Sequence, residues 1–114
     1  MLPKPNRLKK KKDFDQVHQR GRFYRGRFAA IKVLKNDLPE TRIGIIVSTK
    51  VSKKAVVRNQ VKRRIRAVIL EFMENLEAGY DVVVLVRPEI ATKDYQEIKL
   101  AIRNLFQDAK LIKD

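Results

Sequence analysis

The 114-residue sequence predicts one α+β sandwich, a single sheet with helices packed on it, in the order α-β-β-β-α-β-α. Three observations predict it. Apolar residues recur at three- and four-residue spacing through residues 53–77 and 92–110, the pattern of amphipathic helices. Four shorter runs, 22–25, 28–35, 42–48 and 81–87, are rich in β-branched or aromatic residues and bounded by turn signals. The length suits one domain with no room for a second core, and an apolar fraction of 44% is that of a folded chain.

Residues 1–10 (MLPKPNRLKK) hold two prolines and no periodicity, and are expected to form an extended, mobile basic arm ahead of a single domain spanning 11–114. A short helix is expected over 11–20, with Phe14 and Val17 on one face and Gly21 ending it. Gly26 divides the next stretch into strands 22–25 and 28–35 with a kink between them, and Asn36-Asp37-Leu38-Pro39 reads as a turn. Residues 42–48 (RIGIIVS) read as a buried strand. The long helix over 53–77 aligns Val57, Val61, Ile65, Val68, Ile69, Phe72 and Leu76 in one stripe. Ser52 is its expected N-cap, and Gly79 marks the stop. Residues 81–87 (DVVVLVR) form the most hydrophobic strand, closed by Arg87-Pro88. The last helix, 92–110, turns Tyr95, Ile98, Ala101, Ile102, Leu105 and Ala109 inward; Phe72, Tyr80, Tyr95 and Phe106 are read as core.

The formal net charge is +14. Its distribution is more informative than its size: residues 1–27 carry +8, 28–49 carry +1, 50–66 carry +8 and 67–114 carry −3. Two concentrated patches on a chain with an acidic C-terminal half form a footprint for a polyanion. With no cysteine and one histidine, disulfide scaffolds, thiol nucleophiles, thiolate metal sites and paired-histidine chemistry are excluded. No apolar run approaches the roughly 20 residues of a membrane span, and the charged start leads into no signal-peptide core. A cytoplasmic chain without membrane contact is expected.

The long helix opposes its own stability. Lys54, Arg58, Lys62 and Arg66 follow one another at four-residue steps, where like charges repel by roughly 0.2–0.5 kcal/mol per pair. The cations also sit toward its N-terminus while Glu71, Glu74 and Glu77 crowd the other end, the reverse of what the macrodipole favours. A solvated basic face is the plain reading; a negatively charged partner is the other, and Asn59 among the cations suits hydrogen bonding to phosphate, ribose or base. Further aromatics lie between cations at Arg22-Phe23-Tyr24-Arg25 and Arg27-Phe28, a pattern that suits either base stacking on single-stranded RNA or an exposed strand with one aromatic face in the core.

The run Arg58-Asn59-Gln60-Val61-Lys62-Arg63-Arg64-Ile65-Arg66 resembles the R-N-x-x-K-R-x-x-R signature of the protein subunit of bacterial ribonuclease P. The opening Asn6-Arg7-Leu8-Lys9-Lys10, with Asp13, Phe14, Val17 and Gly21, and the lead-in Val47-Ser48-x-Lys50 are similar to that family as well. The resemblance implies a central, mainly antiparallel sheet and an unusual left-handed β-α-β crossover bearing the basic helix. It implies that Lys54, Arg58, Asn59, Lys62, Arg63 and Arg66 contact the catalytic RNA subunit. Phe14, His18 and Lys32 would lie in a cleft between the first helix and the sheet that receives the single-stranded 5′ leader of precursor tRNA. Arg7, Lys9, Lys10 and Arg22 would be additional RNA contacts. Gln60 departs from the family, where a second arginine is common, as do His18 and Lys32, near positions often aromatic. By its residues alone, Phe14 fits a core contact equally well, and His18 an ordinary surface histidine.

A protein nuclease needs a general base and often a carboxylate cluster. The acids here are dispersed, Asp13 and Asp15 are the one close pair, and an i, i+2 spacing does not put both on one helix face. No catalytic or metal-ligating constellation is expected in the chain, nor is a protein partner evident. Within that family the RNA subunit performs the Mg2+-assisted hydrolysis, and the protein would hold the leader and lower the divalent-ion requirement. The alternatives are a structural, ribosomal-type RNA-binding protein, which the basic patches fit equally, and a self-sufficient metal-dependent nuclease, for which the acids are poorly placed.

Overall fold

Side-chain alternation along four strands divides the protein into two layers of unequal weight, as seen in a computed structural model that describes residues 2–113. The strands are β1 (Arg22–Arg25), β2 (Ala29–Lys35), β3 (Arg42–Ile46) and β4 (Tyr80–Val86); the helices are α1 (Lys11–Arg20), α2 (Ala55–Glu71) and α3 (Tyr95–Asp108). The sheet order is β1-β2-β4-β3. The β1–β2 and β2–β4 pairs are antiparallel and β3–β4 is parallel, so α2 is the crossover between parallel neighbours. The element order is the one the sequence predicts, and the mainly antiparallel sheet is the one the family resemblance implies.

Residues two apart on a strand share a face. Ile31, Ile43, Val82 and Val84 meet Val61, Ile65, Val68 and Ile69 of α2 and Ile98, Ile102, Leu105 and Phe106 of α3 in the main core. The Phe72 and Phe106 rings pack tilted, with centroids 5.2 Å apart. On the opposite face a smaller cluster joins Leu8, Phe14 and Val17 to Leu34, Ile46, Val83 and Leu85. One ten-residue helix, α1, is too small to cover that side, and Ile46 and Leu85 stay half-buried.

The N-terminal segment differs from the expected free arm. Leu2 and Leu8 are 2% and 5% exposed. A 3-10 turn over Lys4–Asn6 leads into a parallel bridge between Arg7 and Ile43, and the Leu8 N–H donates to the Ile43 carbonyl at 3.0 Å. The Asn6 amide also donates to the Thr41 carbonyl at 2.9 Å. β3 is an edge strand whose outer carbonyls need partners, and two leucines bring enough apolar surface to dock the segment against it.

The long helix is shorter than its periodicity. It ends at Glu71, Phe72 leaves helical geometry (φ −119°, ψ 16°), and a 3-10 turn covers Met73–Asn75. The segment after α3 claims the backbone beyond: Leu76 bridges Ile112, and the Glu77 N–H donates to the Leu111 carbonyl at 2.7 Å. Phe72 and Leu76 are buried all the same, so the apolar spacing outlasts the helix. Ser52 is not the N-cap. Lys54 holds that position without a side-chain bond, and Ser52 Oγ accepts from the Lys54 N–H in the preceding turn.

The last helix starts at Tyr95, where Asp94 and Glu97 form a reciprocal capping box after a 3-10 turn over Pro88–Thr92. It ends at Asp108, with Lys110 at φ +59°. Phe72 and Phe106 are core, whereas Tyr80 and Tyr95 are only half-buried. At Gly26 the expected kink is a hairpin turn, its N–H donating to the Ala29 carbonyl at 2.9 Å. A side chain there would meet Leu105 Cγ at 2.8 Å.

Candidate nucleic-acid interface

Strand register aligns Phe23, Lys32, Val83 and Gly44 in one row across all four strands, on the face that carries α1. At one end of the row Gly44 lies directly beneath the Phe14 ring, where any Cβ would overlap it. Lys32 Nζ donates to the His18 carbonyl at 3.2 Å, placing a cation at the C-terminal end of α1, where orphan carbonyls and the helix dipole favour it. Phe14, His18 and Lys32 are thus brought together, with His18 contributing its backbone oxygen to the contact. At the other end Phe23 is 53% exposed.

The adjacent row holds Arg25, Ala30, Leu85 and Ile46. It forms a strip beside α1, half-exposed and apolar at Leu85 and Ile46, cationic at Arg25 and flanked by the Phe23 ring. Alternation within Arg22-Phe23-Tyr24-Arg25 carries the signal for Phe23 and Arg25. Which alternate set meets α1 is decided only when α1 and the main core pack on their respective faces of the sheet. Tyr24 and Phe28 pack against the main core instead, and Lys93 Nζ sits 4.9 Å from the Phe28 ring centroid. Both rings are only half-buried, while Phe23 stays exposed on the other face.

On α2, Asn59, Arg63 and Arg66 are exposed and Lys62 is half-buried; Lys54 is exposed just before the first turn. Arg58 is partly engaged internally, its Nη1 donating to the Ser52 carbonyl at 2.9 Å. Lys62 and Arg66 line a cavity of about 310 Å3 whose opposite wall includes Arg7, Lys9, Leu8 and Phe14. Residues predicted for two different contacts therefore share one cleft. Among the described residues its lining holds four cations and no acid. Lys10 is exposed at the start of α1. Arg22, which registers opposite Val33, projects to the main-core face and does not join this site.

The misplaced charge on α2 is offset at one end only. Glu71 accepts a hydrogen bond from the Tyr95 hydroxyl and pairs with Lys99 Nζ at 2.9 Å. Chiefly the Tyr95 bond, and then Lys99, hold its carboxyl below the usual 4.5. Tyr95 responds in the opposite sense, pushed up to about 12 by the same bond. Among the described residues none of Lys54, Arg58, Lys62, Arg63 and Arg66 joins an ion pair. Asp13 faces Arg42 at 3.3 Å, so the Asp13/Asp15 pair is not a free carboxylate couple. Among the described residues no three acids or histidines converge as metal ligands. The arrangement can hold phosphates and stack bases, and among the described residues it offers no general base positioned for hydrolysis.

The family model described as Ribonuclease P matches residues 2–110. A ribonuclease P protein component of Pseudanabaena sp. (strain PCC 6903) is 40% identical over 113 residues, covering 98% of this chain and 97% of the relative. The RNase P protein of Staphylococcus aureus superposes with a TM-score of 0.87 at 26% identity, covering 95% of this chain and 98% of that one. The Thermotoga maritima RNase P protein superposes at 0.82 with 25% identity, covering 90% and 96%. With sequence match and fold agreeing over nearly its whole length, this chain belongs to the ribonuclease P protein component family, the protein part of a ribonucleoprotein endoribonuclease.

Proposed function

We propose that the α1 face of the sheet receives the unpaired 5′ leader of precursor tRNA while the exposed side of α2 binds the catalytic RNA. The observation that carries this reading is the shared cleft, in which Phe14 on the sheet side and Lys62 and Arg66 on the helix side line one cavity. A leader nucleotide stacks on Phe23 or against the Leu85–Ile46 strip, and Lys32 and Arg25 supply charge along the row. Arg7, Lys9, Lys62 and Arg66 lie where the two RNAs approach each other. Between exposed charges the screening length is about 8 Å at physiological salt. Cations inside the gap therefore reduce the repulsion between the two polyanions more than bulk ions can, which lowers the demand for divalent cations. The bond-breaking chemistry and its Mg2+ belong to the RNA subunit. The same reading puts the chain in the cytoplasm with its RNA partners.

The test is cleavage of precursor tRNA by the cognate ribozyme at low Mg2+, with and without the chain, using leaders of graded length. Acceleration by the protein and an affinity that grows with leader length are expected. Phe23→Ala, on a side chain mostly in solvent, should weaken precursor binding by roughly fivefold or more while sparing mature tRNA. A protein that neither accelerates cleavage nor distinguishes leader lengths sinks the proposal.

A further inference from the structure

Strand register also gathers side chains on the main-core face, past the end of α3. Arg22 and Tyr24 of β1 register with Val33 and Ile31 of β2, and Lys35 registers with Tyr80 of β4. All lie on the side that α2 and α3 cover elsewhere. Because α3 stops at Asp108 and Lys110 turns away at φ +59°, this corner of the sheet is left open. The result is a cavity of about 470 Å3 lined by Arg22, Tyr24, Lys35, Tyr80, Asp108 and Lys110 around an apolar floor at Val33. The two tyrosines are half-buried, and the three cations are exposed on the rim against a single acid. Among the described residues, none of these cations is in an ion pair and neither tyrosine hydroxyl has a hydrogen-bond partner.

From this geometry we infer a second single-stranded RNA site, on the opposite face of the sheet from α1, that takes one unpaired nucleotide with its base against Tyr24 or Tyr80 and its phosphate among Arg22, Lys35 and Lys110. The volume falls within the roughly 300–1,000 Å3 of small-ligand sites. Tyrosine faces accept any base, and the flanking cations hold the backbone, the combination by which proteins bind unpaired RNA. Asp108 opposes phosphate on its own side and so directs it toward Arg22 and Lys35. The site shares no residue with the cleft between α1 and α2, and stands or falls independently of the leader reading.

The test uses the full chain and a 4-thiouridine-bearing decauridylate. Photocrosslinks are expected in peptides containing Tyr80 or Lys110 as well as in those of the α1 face. Tyr24→Leu, which keeps apolar bulk and charge, should weaken decauridylate binding by roughly fivefold or more and leave binding of a duplex RNA unchanged. Arg22→Ala with Lys110→Ala should lower the single-strand salt slope by about 0.7 for each phosphate no longer neutralised. Measuring the same variants on the ribozyme alone and on precursor tRNA bound to the holoenzyme separates the two sources of the nucleotide. Absence of crosslinks at both Tyr80 and Lys110 overturns the site. So does a Tyr24→Leu variant with unchanged melting and unchanged decauridylate affinity, since the rim would then be generic electrostatics. Should Tyr24→Leu fail to fold, the crosslinks decide alone.

Discussion

Arg42 grips Asp81 side-on, with Nε donating to Oδ1 at 2.8 Å and Nη2 to Oδ2 at 2.7 Å, across the parallel pair β3–β4. The same guanidinium reaches Asp13 on α1 through Nη1 at 3.3 Å, and Asn36 adds a third hydrogen bond to Asp81 at 2.8 Å. Chiefly the Asp81 bond raises the pKa of Arg42, whose guanidinium is charged at physiological pH in any case. One side chain therefore ties the helix that roofs the α1 face to two strands beneath it. The Asp81 side chain is 7% exposed and depends on this partner. Arg42→Met should cost about 2–4 kcal/mol in urea unfolding, because it leaves a buried carboxylate short of its main counter-charge. Arg42→Met with Asp81→Leu should recover much of that loss; if the double variant is the worse of the two, the pair is not what stabilises the junction.

Gly44 and Phe14 are fitted to each other. Gly44→Ala overpacks a site already filled by the Phe14 ring and should destabilise by about 1–3 kcal/mol. Combined with Phe14→Ala, the glycine substitution should become much less costly, giving a coupling of at least about 0.5 kcal/mol in a double-mutant cycle. Simple additivity would show that the ring does not rest on that glycine.

Arg58 and Arg63 should behave differently although both belong to the basic run. Arg63→Ala should leave folding unchanged and flatten the salt dependence of RNA binding by about 0.7–0.9 log units for each phosphate it ceases to neutralise. Arg58→Ala should in addition destabilise by about 0.5–1.5 kcal/mol, since Nη1 holds the Ser52 carbonyl ahead of the helix. Paired salt titrations and thermal melts check both, and a stability loss in Arg63→Ala contradicts the assignment.

The Glu71–Tyr95 bond gives a pH signature. Tyr95 ionises near 12 when folded, above its ordinary 10, so the stability it contributes is complete below 10 and is lost as pH rises through about 12. Glu71 is depressed, so its contribution is present above the ordinary 4.5 and lost as pH falls through the lower folded value. Absorbance at 295 nm should show a tyrosinate component appearing near pH 12 that disappears in Tyr95→Phe. If the component persists in that variant, it belongs to another tyrosine.

Much of this protein is legible along the chain because the relevant physics is local. The stripe of Val61, Ile65, Val68 and Ile69 requires a helix with one buried face, and the buried residues are those four. The cations of residues 50–66 oppose the dipole of their own helix, which points outward to a polyanion before any contact is known. Periodicity alone starts the last helix at 92, three residues before Tyr95, where the Asp94–Glu97 capping box sets it.

Elements, their order, the main-core residues of the helices and the two basic segments follow from the chain itself, since propensity, periodicity and charge are properties of neighbours. What depends on distant partners emerges only when the chain is folded. The arm is docked because β3, an edge strand far along the chain, offers it carbonyls, and α2 stops early because Leu111 and Ile112 claim the backbone beyond it. Arg22 and Phe23, adjacent in sequence, serve opposite faces because successive strand residues alternate, and which of the two meets α1 is decided only when α1 and the main core pack on their respective faces of the sheet.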